Sequence, residues 1–323
     1  MNICIVGFGA IGPIHAESLS LIKNVNIYGI CDVIKEKADA AAETYGCKAF
    51  YSFDECLSDK NIDSIHICTP HYLHFEMVKK AIDAGKRVVV EKPVTMKKDE
   101  FTFLLKHYRD ASIFPIIQNR TNKCVKELKN IIDNDNTLGA LVAVKGIITW
   151  CRDAEYYNSD EWRGTKLYEG GGVLINQAVH TLDLMIYLGG DIEKVSATMT
   201  NKSLKNIIEV EDTVDAYMSY KNGAKGIFYA TNAYPDDSPV QLEFGFENTI
   251  LKYMDGKLYR DDKEICADDK KFLGKEYWGS GHERTLYDLY VDNKSLTISD
   301  IESTMKTMFA IYESADTGKE IEI

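Results

Sequence analysis

Short apolar runs and longer stretches of helical periodicity alternate through the first third of the chain. Runs at 2–6, 25–31, 47–50, 64–68, 87–90 and 113–117 have the length and apolar continuity of buried strands, and 11–21, 35–45, 72–84 and 97–109 read as helices. That alternation predicts βαβ units and a parallel, doubly wound sheet. Beyond about residue 120 the pattern changes. A helix is predicted over Lys123 to Asp133, a strand over Ala140 to Trp150, then a polar and aromatic loop and a helix from Gly172 to Tyr187. Runs of β character follow at 192–200, 210–220, 224–232, 239–246 and 249–254, joined by turns such as Lys221-Asn222-Gly223-Ala224 and Asp255-Gly256. Closely spaced strands without intervening helices predict a large, open, mostly antiparallel sheet. The last helix, Ser299 to Asp316, carries Ile301, Met305, Met308, Phe309 and Tyr312 on one face, a stripe suited to a core. The expected fold class is α/β: a doubly wound parallel domain over 1–120, then an α+β domain over 121–323 for substrate binding and self-association.

The first strand run, Asn2-Ile3-Cys4-Ile5-Val6, empties into Gly7-Phe8-Gly9-Ala10-Ile11-Gly12. A lone G-x-G-x-x-G is weak, because glycines gather in turns for steric reasons alone. Here it joins a strand to a helix, as a Rossmann dinucleotide site requires. Gly7 permits the tight turn, Gly9 lets backbone approach a pyrophosphate, and Gly12 lets helix pack on strand, with the phosphates at the positive helix end. Asp32 closes the second strand run, where its carboxylate can accept from ribose hydroxyls. That carboxylate would repel a 2′-phosphate, which points to NAD rather than NADP, although Lys35 weakens the repulsion. Ligands of such sheets sit at the carboxyl ends of strands. Thr69-Pro70-His71 and Glu91-Lys92-Pro93 lie at two such ends, and the second brings an amine to the cofactor's mouth.

At 323 residues the chain exceeds what one core usually serves, so two domains are expected. A net charge of −12 without a basic cluster excludes nucleic acid, whose binding needs concentrated Lys and Arg. No segment reaches the ~18 apolar residues of a membrane span, and the chain is expected to be cytoplasmic. The eight cysteines include no C-x-x-C pair and read as small apolar residues of a reducing compartment. His71-x-x-His74 resembles half a metal site, but nothing nearby completes a coordination sphere, so no metal is expected.

On these residues the chain resembles the Gfo/Idh/MocA family of nicotinamide-dependent oxidoreductases, which includes glucose-fructose oxidoreductase and inositol 2-dehydrogenase. The likeness covers nearly the whole chain. It rests on the glycine run with His15 three residues on, Cys68-Thr69-Pro70-His71-Tyr72-Leu73-His74, Glu91-Lys92-Pro93, Trp162-Arg163-Gly164, and Gly170-Gly171-Gly172-Val173-Leu174-Ile175-Asn176-Gln177-Ala178-Val179-His180-Thr181-Leu182-Asp183. The resemblance implies hydride transfer between nicotinamide and a secondary alcohol or ketone carbon of a sugar, sugar derivative or cyclitol. It also implies a homodimer or homotetramer built through the C-terminal sheet, and often a cis bond at Pro93. Thr69, Pro70, His71, His74 and Glu91 are expected beside the cofactor. Many members carry Asp where this chain has Asn176, which keeps a hydroxyl-binding group but removes a charge.

Lys92 is expected to hydrogen-bond the substrate oxygen and stabilise the charge that builds as hydride leaves. His180, one turn beyond Asn176 on one helix face, suits proton removal near neutral pH. Asp183 could orient that ring or pair with a neighbour. Thr69 and Pro70 equally suit a helix start, as N-cap and first helical residue. Trp162 and Arg163 are expected to contact cofactor or substrate, and Arg120 and Tyr157 the substrate; Tyr277-Trp278-Gly279-Ser280-Gly281-His282 could close the site. Two other readings stay open. A hydrolase or epimerase of this fold would oxidise transiently with retained NAD, and a dinucleotide-binding regulator would need neither amine nor imidazole.

Overall fold

The structure is a computed structural model that describes residues 1–269 and 280–323. The chain divides into two compact units. The first comprises residues 1–95, 99–118 and the described part of 271–300; the second comprises 96–98, 119–269 and 301–323. The main run divides between 118 and 119, and 280–300 returns to the first unit. The reason is packing: Leu286 and Leu289 lie buried in one core with Ile3, Ile5, Ala16 and Leu19.

In the first unit, β1 (Asn2–Val6), α1 (Gly12–Ser20), β2 (Asn26–Cys31), α2 (Lys35–Tyr45), β3 (Lys48–Phe50), α3 (Phe53–Ser58), β4 (Ser64–Ile67), α4 (His71–Asp83), β5 (Arg87–Val90), α5 (Lys98–Tyr108) and β6 (Ile113–Pro115) succeed one another. The six strands are parallel in the order β3-β2-β1-β4-β5-β6. This is the doubly wound Rossmann sheet. Its central strands are buried along their length, which is why they read as continuous apolar runs rather than as alternation. The short helix α3 escaped the sequence reading, as a six-residue helix carries too few turns for a periodic signal.

The second unit contains α6 (Lys123–Asn134), β7 (Leu141–Thr149), α7 (Ala154–Asn158), a π-helical turn over Leu174–Ala178, α8 (Val179–Gly189), β8 (Ile192–Thr200), β9 (Thr213–Tyr220), β10 (Lys225–Thr231), β11 (Gln241–Phe246), β12 (Ile250–Met254), β13 (Lys257–Arg260) and β14 (Lys263–Ala267). After α9 (Gly281–Tyr290), which belongs to the first unit, come α10 (Glu302–Thr317) and β15 (Ile321–Glu322). Nine strands run in the order β14-β13-β12-β11-β7-β10-β9-β8-β15, antiparallel except where β7 meets β10. The strands β13, β14 and β15 went unread in the sequence.

Register sorts this sheet into two faces. Ala197, Ala216, Phe228, Gly146 and Leu242 line up across β8, β9, β10, β7 and β11 on the inner face. There Gly146 leaves the room that Met185 of α8 fills, since a Cβ would stand 2.2 Å from its sulfur. One residue over, Tyr217, Ile227, Lys145 and Glu243 align on the outer face. The apolar stripe of α10 is core as predicted, with Ile301, Met305, Met308 and Phe309 buried.

Candidate active site

At the carboxyl end of β1 the glycine turn is closed on one side and open on the other. Gly7 adopts φ +89°, and a Cβ there would stand 2.7 Å from the Cys68 carbonyl oxygen; at Gly12 it would stand 2.6 Å from that of Gly7. A Cβ at Gly9 would meet nothing within 4 Å. Fold therefore demands glycine at 7 and 12, whereas the openness at 9 suits a ligand's approach. Helix α1 starts there with no side-chain cap on its first N–H groups, so its positive end suits a pyrophosphate.

Asp32 braces this turn. Its Oδ2 accepts from the Phe8 N–H at 2.8 Å and its Oδ1 from the Ile34 N–H at 2.9 Å. The Phe8 N–H is engaged by Asp32 and its ring lies edge-on to Tyr45. A carboxylate oxygen holding one backbone bond still has a lone pair for a ribose hydroxyl. Ala10, like Gly9, is exposed and Ile11 is half-buried on this turn.

Beyond β4, the helix start differs from the expectation. Pro70 is the N-cap, His71 opens α4, and no side chain caps it; the Thr69 hydroxyl lies 3.4 Å from the Met77 sulfur instead. His74 is fully buried, with Nδ1 2.7 Å from the Pro93 carbonyl oxygen and Nε2 2.8 Å from that of Thr69. It clamps the two loops together. Burial lowers its pKa despite both carbonyls.

Glu91 is likewise buried. Its Oε1 lies 2.9 Å from His15 Nε2 and 3.3 Å from His282 Nε2, and its Oε2 accepts from the Lys92 N–H at 3.3 Å. Burial opposes its ionisation, but the hydrogen bonds from His15 and His282 prevail and hold it well below the usual carboxylate range. Behind it runs a buried chain: His15 Nδ1 to His66 Nδ1 at 2.8 Å, His66 Nε2 to the Tyr290 hydroxyl at 2.6 Å, and that hydroxyl to Ser64 at 3.1 Å. Burial holds both rings below their ordinary pKa, so His15 meets Glu91 as a neutral donor. One direction satisfies every member: Ser64 donates to Tyr290, Tyr290 to His66, His66 to His15 and His15 to Glu91. His15, Glu91 and His282 are also the one trio of potential metal ligands among the described residues, their ligand atoms within 4.8 Å of one another. His282 is buried against Glu91, and residues 277–279 of the expected closing segment lie outside the described residues. The Lys92–Pro93 bond is cis. Lys92, half-buried, follows directly on this network.

In the second unit the glycine run ends on buried carboxylates that sequence reasoning passed over. A Cβ at Gly172 would come within 1.9 Å of the Glu211 carbonyl oxygen. The Glu211 side chain accepts from the Gly172 and Leu174 N–H groups at 2.8 and 3.1 Å and from the Tyr312 hydroxyl at 2.9 Å, capping the π turn. Asn176 sits inside that turn, 8% exposed, and donates its amide to the buried Glu169. The helix expected from Gly172 thus begins as a π turn, a feature frequent at functional sites, and becomes α-helical one residue before half-buried His180. Glu169 lies directly before the three glycines, which was the available signal.

Asp183 takes the second of its two expected places and pairs with neighbours. Its carboxylate accepts two bonds from Arg120, at 2.7 and 2.6 Å, and a third from the Thr304 hydroxyl at 2.7 Å. Arg120 thereby forms a buried ion pair. Tyr157 packs with Leu204, Ile208 and Val210, its hydroxyl accepts from Asn232 at 3.0 Å, and burial raises its pKa. Trp162 and Arg163 enter a stack in which the Arg163 guanidinium lies 4.7 Å from both the Trp162 and Tyr156 rings. Its Nη1 donates to the Tyr156 hydroxyl at 2.8 Å.

Residues 1–113 match the family described as "Oxidoreductase family, NAD-binding Rossmann fold", and 125–251 match its C-terminal domain. The chain is 25% identical to the myo-inositol 2-dehydrogenase of Thermotoga maritima across 94% of its length and 89% of that protein's. It is 24% identical to the levoglucosan dehydrogenase of Pseudarthrobacter phenanthrenivorans, covering 78% and 73%. Among solved structures, the WlbA dehydrogenase from Bordetella pertussis, in complex with NADH and UDP-GlcNAcA, superposes with a TM-score of 0.86 at 25% identity over 100% of this chain and 98% of that one.

Proposed function

The chain belongs to the GFO/IDH/MocA family of NAD-binding oxidoreductases, and from that premise we propose that it oxidises a secondary alcohol of a sugar, sugar derivative or cyclitol. The alcohol carbon loses a hydride and its hydroxyl loses a proton, leaving a ketone. When bound, NAD supplies the hydride acceptor, held by the turn over Gly7 to Gly12, with Asp32 at the ribose and Thr69, Pro70 and His71 at the next strand end. Lys92 donates a hydrogen bond to the reacting oxygen and steadies its developing charge. His180 takes the hydroxyl proton, which an imidazole does well near neutral pH. The observation that carries this reading is a buried side-chain amide, Asn176, one helical turn before a half-buried imidazole. That is hardware for binding a hydroxyl beside a base. Trp162 and Arg163 offer a ring face and donors to a sugar.

Two further parts belong to the proposal. A second copy covers the outer face of the large sheet, where Tyr217, Ile227 and Tyr229 are 48%, 53% and 38% exposed side by side. The eight free cysteines fit a reducing cytoplasm.

The test is a panel of myo-inositol, levoglucosan, UDP-GlcNAcA and free hexoses with NAD, read as net NADH. At least one is expected to react, and Lys92→Ala is expected to lose ~10²–10⁴-fold in kcat with NAD binding kept. A Lys92 variant retaining more than about a tenth of the rate removes the assignment. An isomerised or hydrolysed product without net NADH favours the retained-cofactor enzyme instead.

A further inference from the structure

We infer that Glu169 is the positioning residue for Asn176, supplying from a neighbouring side chain the carboxylate that position 176 lacks. The inference rests on the reading of Asn176 as the group that binds a substrate hydroxyl. Glu169 is 1% exposed and anchored twice: one oxygen accepts from the Gly164 N–H and the other from the Asn176 amide nitrogen. An amide that donates to a carboxylate cannot turn over, because its carbonyl oxygen would then face a negative oxygen. Asn176 therefore keeps its nitrogen on Glu169 and carries its carbonyl on the other branch, as an acceptor for a hydroxyl hydrogen. A lone Asn would bind a hydroxyl in either sense. This one is set to one sense by its partner.

The arrangement also changes what Asp would do at position 176. Asn176→Asp would face two buried carboxylates together, and such a pair holds one proton between them rather than ionising twice. The Glu169 charge acts on the phenols of Tyr156, Tyr157 and Tyr312, Glu211 accepts from Tyr312, Arg152 and Arg163 act on the same Tyr156, and His180 stands one helical turn beyond position 176.

The experiment exchanges the two groups in the full chain. Glu169→Gln alone lets the Asn176 amide reverse, and KM for the sugar should rise about tenfold with kcat within about threefold. Asn176→Asp alone should melt lower than wild type as pH rises above the usual carboxylate range, because a carboxyl whose folded pKa is raised loses its stabilisation upward in pH. The double variant, Glu169→Gln with Asn176→Asp, restores a carboxylate and an amide with places exchanged. It should remove that pH-dependent melting and return kcat/KM to within about threefold of wild type. With the carboxylate now one turn before His180, the rate's ionisation should also move to higher pH. If Asn176→Asp melts in parallel with wild type at every pH, or the double variant is no better than the two singles combined, the inference is overturned. The melting arm needs no substrate. A wild type that oxidises no sugar sinks the functional reading while the melts still decide the pairing.

Discussion

Arg120→Ala should unfold the second unit more readily without touching sugar recognition. The guanidinium meets Asp183 through two bonds of 2.7 and 2.6 Å, with side chains 8% and 0% exposed, and lies 4.6 Å from the Tyr187 ring centre. Truncation removes both charge-assisted bonds and leaves a carboxylate closed to solvent with the Thr304 hydroxyl as its remaining bond. Breaking a buried pair from one side costs about 3–5 kcal/mol, and the lost cation–π contact adds about 0.5–1 kcal/mol. That is a large share of the ~5–15 kcal/mol that holds a typical domain. Denaturant unfolding followed by tryptophan fluorescence and circular dichroism reads it, with the two units allowed separate transitions. Removing both charges together, Arg120→Met with Asp183→Leu, should recover most of the loss, since the penalty is the stranded carboxylate rather than the missing bond. If Arg120→Ala stays within about 1 kcal/mol of wild type while KM for the sugar rises tenfold or more, the guanidinium serves the substrate after all and the core reading fails.

Other expectations follow from the same geometry. Gly9→Ala should keep the melting temperature and lose NAD affinity, whereas Gly7→Ala should lower the melting temperature itself; equal effects of both on stability, read by thermal melts with and without NAD, would contradict the open space at Gly9. Asp32→Ala should narrow any preference for NAD over NADP and weaken both, because the Phe8 and Ile34 N–H groups lose their acceptor; unchanged Kd values for the two cofactors would remove the assignment. Acid should destabilise the first unit in two stages. Burial lowers His15, His66 and His74 from their ordinary 6.5, and hydrogen bonds from His15 and His282 overcome burial to hold Glu91 well below 4.5. Each folded value lies below its unfolded one, so stability is complete above about pH 6.5 and falls first through that value, then again below about 4.5. Thermal melts that stay level from neutrality to pH 4 would refute this.

The sequence alone determined the class of the fold and the glycine turn of its NAD-binding Rossmann unit, because both are written in local terms. Strands buried on two faces show as unbroken apolar runs, exposed antiparallel strands with tight turns show as short alternating ones, and the steric limits at Gly7 and Gly12 belong to a single turn. Lys92 at a strand's end and Asn176 followed by His180 are similarly adjacent in the chain. What escaped the sequence is what distant segments decide together. Glu91 stands beside Lys92 in the chain, but His15 and His282 approach it from 76 and 191 residues away and bury it. His74 meets two carbonyls, and Arg120 meets Asp183, 63 residues on. No periodicity reports such partners, since a buried polar side chain is assigned by whichever group folding brings within hydrogen-bond reach. Only the tertiary structure could show that α9 returns to the first unit's core, or that Glu169 stands against Asn176 and gives back the carboxylate its sequence position had lost.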